Sequence, residues 1–144
     1  MSKYPRCFPD NFEEKILPKG AKKEDKHVYR IIKYGTINRD SFISTYEEIQ
    51  KGLIPMPKKG LNLADPGTYS TSCNIEYSEA EYILDVFMRH HPKAFIAEGE
   101  TKAFCGPCQL TSERENREGT HVDWWIYDDA KPHEYFTEVI QDEG

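Results

Sequence analysis

Three strings in this chain carry side chains able to do chemistry. The first is His121-Val122-Asp123-Trp124-Trp125. Alternation along a strand puts His121, Asp123 and Trp125 on one face, with Val122 and Trp124 on the other. A histidine and an aspartate two apart on a strand can pair, orienting an imidazole for acid–base work, and an adjacent Trp can stack a base or a sugar. The competing reading has one Trp anchoring the core while His121 ends the strand, since Trp is highly buried on average. The second string is Cys105-Gly106-Pro107-Cys108, a dithiol whose redox chemistry needs a thiolate at a helix N-terminus. Residues 109–119 are almost wholly polar and supply no amphipathic helix, so the string reads as a Gly-Pro turn flanked by incidental cysteines. Cys108 and His121 stand at a zinc-finger-like spacing, but no fourth ligand follows in register; a site assembled in space with Cys73, His90 or His91 stays open, and no metal residue is assigned. The third is an ordered series: Arg30, then Ser70-Thr71-Ser72, then Glu98-Gly99-Glu100.

That order resembles the Arg, Ser-Thr-Ser, Glu-x-Glu sequence of the arginine-directed ADP-ribosyltransferases. The resemblance implies that Arg30 grips dinucleotide phosphates through its planar donor fork, a geometry suited to such oxygens. It implies that Ser70 and Ser72 brace a nicotinamide pocket. Glu100 would then stabilise the positive ribosyl centre, and Glu98 would face the substrate. With Trp124 and His121 added from the first string, the expected cofactor-binding residues are Arg30, Ser70, Ser72 and Trp124, the expected catalytic residues Glu100 and His121, and the expected ligand a nucleotide such as NAD.

The elements that must hold these groups are legible from pattern. Residues 27–34 are β-branched and aromatic and end at Gly35, which reads as a strand with Val28, Arg30 and Ile32 on one face and Tyr29 and Ile31 on the other. Asn38 suits an N-cap for a helix carrying Phe42, Tyr46, Ile49 and Leu53. Residues 54–67, with Pro55, Pro57, Gly60, Pro66 and Gly67, read as a loop, and 69–75 as a hydroxyl-rich strand. Ser78 with Glu81 forms a capping-box pattern ahead of the apolar stripe Ala80, Ile83, Leu84, Phe87 and Met88. Strands are expected over 94–100, 121–127 and 135–140, with a shorter strand or turn in 102–110 and a charged exposed loop over 111–119. Strands and helices mix without a βαβ rhythm, so the expected class is α+β: a small mixed or antiparallel sheet of about five to six strands with two main helices. Residues 1–26, rich in charge and proline, read as an extended arm pinned by Phe8 and Phe12, and 27–144 as a single α+β domain.

Composition bounds the partners. The 144 residues carry a net charge of −6, which argues against a general nucleic-acid binder, although the stretch from Lys15 to Lys33 is basic. That stretch reads either as a solvated linker or as a local anion-binding edge. No apolar run approaches the roughly 18 residues of a membrane span, and the N-terminus has no signal-peptide core. Cys7, Cys73, Cys105 and Cys108 are too scattered for a disulfide framework, which points to free thiols and a cytoplasmic setting.

The run from Val28-Tyr29-Arg30 through Phe42 and Tyr46-Glu47-Glu48 to Phe95–Gly99 and His121–Trp125 resembles a widespread group of small bacterial proteins. That resemblance implies a bacterial, cytoplasmic home and supplies no mechanism. Two functional expectations follow from the sequence. One is a small ligand-binding domain with an ADP-ribosyl-transfer-like cleft. The other is a non-catalytic interaction module of inhibitor or immunity type, its acidic surface and exposed aromatics facing a protein partner. The cleft reading requires Arg30, Ser72 and Glu100 to converge on one pocket, with His121 or Trp124 beside them.

Overall fold

The computed structural model describes residues 3–140. Its β-branched and aromatic segments form six strands: β1 (His27–Ile32), β2 (Thr71–Asn74), β3 (Phe95–Glu100), β4 (Cys108–Leu110), β5 (His121–Trp124) and β6 (Phe136–Glu138). They make one sheet in the order β4-β5-β2-β1-β3-β6, and every pairing is antiparallel. With helices α1 (Thr45–Gln50) and α2 (Tyr77–Phe87) outside the sheet, the class is α+β.

Alternation along each strand sorts the side chains into two cores. On one face Tyr29, Ile31 and Ile96 meet Ala80, Ile83, Leu84 and Phe87 of α2. On the other, Val28, Ile32, Cys73, Val122 and Trp124 pack against Phe42 and Phe136. A third cluster joins Tyr4, Phe8 and Phe12 to Tyr69 and Trp125. Apart from the stacked pair Tyr4–Phe8, its ring pairs meet edge-on or tilted, as Phe8 and Phe12 do at a centroid distance of 4.9 Å, a favoured aromatic geometry. Phe8 and Phe12 thus pin the N-terminal residues onto the domain, with a π-type turn at Phe12–Ile16. Further along, Lys22 and Cys108 exchange backbone hydrogen bonds of 2.9 Å, which covers the outer edge of β4.

Among the described residues only α2 is a main helix. The expected helix after Asn38 divides because two capping boxes follow one another. Asn38 and Ser41 cap a 3-10 turn at Arg39–Phe42, and Ser44 and Glu47 cap α1. Between them Ile43 is extended (φ −102°, ψ 157°), so helical hydrogen bonding cannot run through. The Ser78–Glu81 box also does not form. α2 starts at Tyr77 with Glu76 at its N-cap, and the helix entrance is tied down by Thr120, whose hydroxyl accepts from Glu76 N at 2.9 Å. β2 is shorter than the sequence pattern because Asp65 caps a 3-10 turn over Pro66–Tyr69. Among the described residues no helix is long and apolar enough to cross a membrane.

Candidate functional site: a polar cavity beside α2

The ladder between β1 and β3 is complete over six pairs, whereas β1 and β2 share only the pair Tyr29–Asn74. The Arg30 guanidinium serves the carbonyls beside that short pairing. Its Nε and Nη2 donate to Ser41 O at 3.1 Å each, and Nη1 donates to Ser72 O at 2.9 Å. Among the described residues no carboxylate forms an ion pair with it. Burial lowers the Arg30 pKa, against a partial opposing effect of Cys73 and Glu48. An arginine remains protonated at neutral pH all the same, so a half-buried positive charge sits here without a direct counter-ion among the described residues.

Beside Arg30 lies a cavity of about 250 Å³ lined by Arg30, Ser70, Ser72, Asn74 and His121, with Tyr29, Ile83 and Phe87 as apolar wall. Lys33 and Glu48 stand at its other end, paired at 2.9 Å. Asn74, Ile83 and His121 also line an adjoining, shallower depression of about 290 Å³ that reaches Glu79, Tyr82 and Arg117. The two hollows meet at the pair Asn74–His121, which are partners across β2 and β5.

A buried network underlies this wall. Asp123 is only 2% exposed, and its Oδ1 accepts from Ser70 Oγ at 2.5 Å. Its Oδ2 accepts from Thr111 Oγ1 at 2.7 Å and meets Arg114 Nη2 at 2.7 Å. Arg114 is held in turn by Gln109 Oε1 at 3.1 Å, with its guanidinium 5.6 Å from the Trp125 ring. Burial works to raise the Asp123 pKa. The hydrogen bonds from Ser70 and Thr111, with the charges of Arg114 and His121, outweigh it and hold the carboxyl below its usual range. Thr111 Oγ1 also lies 2.5 Å from His121 Nδ1. Burial pushes the His121 pKa down, and Arg117 and Arg114 add to that against the pull of Asp123. The imidazole is therefore neutral at pH 7.

Of the residues expected from sequence, Arg30, Ser70, Ser72 and His121 line this one cavity. Glu100 does not. It pairs in register with His27 at the start of β1, and its carboxylate lies 3.6 Å from Lys102 Nζ. Glu98 bonds His27 Nε2 at 3.0 Å. Trp124 is fully buried in the core of the opposite face, its Nε1 donating to Gly106 O at 3.2 Å, because strand alternation turns it away from His121 and Asp123. The three-group convergence of Arg30, Ser72 and Glu100 is thus absent, and the site is built from other partners. Asn74, Thr111 and Arg114 belong to it without having been singled out from sequence. Thr111 and Arg114 fall in the charged stretch that reads as an exposed loop, and only the 3-10 turn that follows β4 brings them onto Asp123.

The Cys-Gly-Pro-Cys string has a backbone role. Trp125 N donates to Pro107 O at 2.9 Å and Tyr127 N to Cys105 O at 2.8 Å, so the turn takes over the backbone partners where β5 ends. Gly106 (φ +141°) presses against the Trp125 carbonyl where any Cβ would collide. Cys105 and Cys108 are free and buried, and burial pushes both thiols up; Cys73 is pushed up to about 12. Among the described residues no group of three or more His, Cys, Asp or Glu is placed to hold a metal ion. Compared with protein-family models, curated proteins and solved structures, the chain matches none.

Proposed function

We propose that the protein is a small ligand-binding domain whose cavity takes a phosphate-bearing molecule of the nucleotide class. The observation that supports this most is Arg30: a half-buried guanidinium, paired with no carboxylate among the described residues, on the wall of a cavity that also carries the neutral polar groups of Ser70, Ser72, Asn74 and His121. A ligand phosphate would supply the counter-ion through the guanidinium N–H groups not already given to Ser41 O and Ser72 O. Tyr29 and Phe87 offer apolar surface for a base or sugar. At about 250 Å³ the cavity lies just below ordinary ligand pockets of roughly 300–1,000 Å³, so it suits a mononucleotide, or one half of NAD with the remainder running past His121. The order of Arg30, Ser70 and Ser72 that resembles ADP-ribosyltransferases agrees with a nucleotide ligand. Group transfer through Glu100 has no support from its position. Buried free thiols fit a reducing, cytoplasmic setting.

A thermal-shift series with AMP, ADP and NAD tests the reading. A ligand at a hundred times its dissociation constant stabilises the fold by about 2.7 kcal/mol, and the response should vanish in Arg30→Gln. Unchanged unfolding with all three overturns it. The runner-up, a protein-interaction module, draws on Tyr82, 74% exposed, with Val86 one turn further along the outer side of α2. A partner on that face would protect Tyr82 while leaving Arg30→Gln without consequence.

A further inference from the structure

Thr111 has one hydroxyl hydrogen and two neighbours that compete for it. Asp123 Oδ2 lies 2.7 Å away and His121 Nδ1 lies 2.5 Å away. An ionised carboxylate only accepts, so the Thr111 proton goes to Asp123. The Thr111 oxygen is then left as an acceptor toward the imidazole, which requires the proton of the neutral ring to sit on Nδ1. Nε2 must carry the lone pair. Among the described residues no group hydrogen-bonds His121 Nε2, and His121 lines both hollows where they meet.

We propose that His121 is a general base of this cavity, its Nε2 accepting the proton of a hydroxyl or water held next to a ligand whose phosphate lies on Arg30, with Thr111 and Asp123 as the positioning residues that fix its tautomer. The inference rests on the ligand-binding reading above and deepens it. In the step itself the O–H bond breaks, its electron pair stays on oxygen, and the proton moves to Nε2. The imidazolium so formed is stabilised through Thr111 by the Asp123 carboxylate.

The charges around the ring set the pH at which this works. Asp123 lies on the same strand, Arg114, Glu115 and Arg117 come from the segment after β4, and Glu79 faces it from α2. Burial with the two arginines keeps the ring neutral, so the base is available through the whole neutral range. The Asp123 carboxylate itself stays ionised because Ser70, Thr111 and Arg114 all favour that form. Arg114 therefore does double service: it holds Asp123 and disfavours a charged ring at rest.

The test is a two-bond ¹H–¹⁵N correlation spectrum of the full-length, ligand-free, ¹⁵N-labelled protein near pH 7.5. The His121 ring is identified through its own Hβ–Hδ2 connectivity. The expected pattern is a neutral ring protonated on Nδ1, against the Nε2–H form that predominates in free histidine. Thr111→Val should return the ring to a mixture dominated by Nε2–H, and Thr111→Ser should restore the Nδ1–H form. An Nε2–H ring in the unaltered protein overturns the inference, and so does a Thr111→Val spectrum indistinguishable from it. Adding AMP to the same sample separates this from the nucleotide reading. A ring of the expected tautomer that AMP leaves untouched keeps the base and removes the nucleotide, whereas failure of the base shows before any ligand is added.

Discussion

The two faces of the β2–β5 ladder use the same strands for opposite ends. On one, Thr71, Cys73, Val122 and Trp124 close against Phe42, and even the polar atoms are spent: Thr71 Oγ1 donates to Phe42 O at 2.8 Å and Trp124 Nε1 to Gly106 O. On the other, Ser70, Ser72, Asn74 and His121 border a hollow with Asp123 buried behind them, and among the described residues the half-buried Arg30 has no carboxylate partner and His121 Nε2 no hydrogen-bond partner. The chemically louder residues, two thiols and two indoles, largely serve the first face or the aromatic cluster beside it. A candidate site is marked by the groups a fold leaves unsatisfied beside open space, not by the residue types it contains.

That contrast can be broken by substitution. Asp123→Ala is expected to have the largest effect, about 3–5 kcal/mol in urea unfolding, because it removes a buried carboxylate and leaves the half-buried Arg114 and two hydroxyls without their partner. A near-neutral result would mean the polar face is not held by this carboxylate. Gly106→Ala should cost about 2–4 kcal/mol, since its Cβ meets the Trp125 carbonyl backbone at a φ that side chains avoid. The cysteines on either side should be far more tolerant, at about 1 kcal/mol each for replacement by Ala, with nucleotide binding intact. Equal costs at all three positions would return the thiols to consideration as functional groups.

Arg30→Met should lower stability by about 1–3 kcal/mol by leaving Ser41 O and Ser72 O without a donor, and should abolish the response to AMP. Retained AMP binding would move the ligand away from the β1–β2 opening. The smallest effect is on pH dependence. Because the folded protein lowers the His121 pKa, the unfolded chain binds that proton more readily. His121's stabilising contribution is complete above roughly pH 6.5 and declines as pH falls below it toward the folded value. Asp123, also depressed, contributes fully above roughly pH 3.9 and loses that contribution as acid carries the pH down through its folded pKa. Denaturant midpoints across pH 3–8 should show the first decline disappear in His121→Gln while the second persists.

Much of the frame was legible in the sequence, for physical reasons that differ by element. The period-two pattern of β1 placed Arg30 opposite Tyr29 and Ile31, and the alternation in β5 put His121 and Asp123 together, because a half-buried strand must sort its side chains. The apolar stripe of α2 was equally plain, although its cap was not: Thr120, far off in sequence, does what the Ser78–Glu81 pattern promised to do locally. The break at Ile43 was concealed because Phe42, Tyr46 and Ile49 keep helical spacing across two separate capped turns. Long-range register hid the rest. Glu100 is on the expected strand but faces His27 rather than the serines, and Thr111 and Arg114 look solvated until β4 and the turn after it are laid against β5.

The central claim, that the opening beside Arg30 is a ligand site, is tested most directly by mapping backbone amide shifts during a titration with AMP. The account predicts saturable shifts concentrated at Tyr29, Arg30, Ser72, Asn74 and His121, and their loss in Arg30→Met. Shifts that are absent at millimolar AMP, or that gather on another part of the surface, would contradict it.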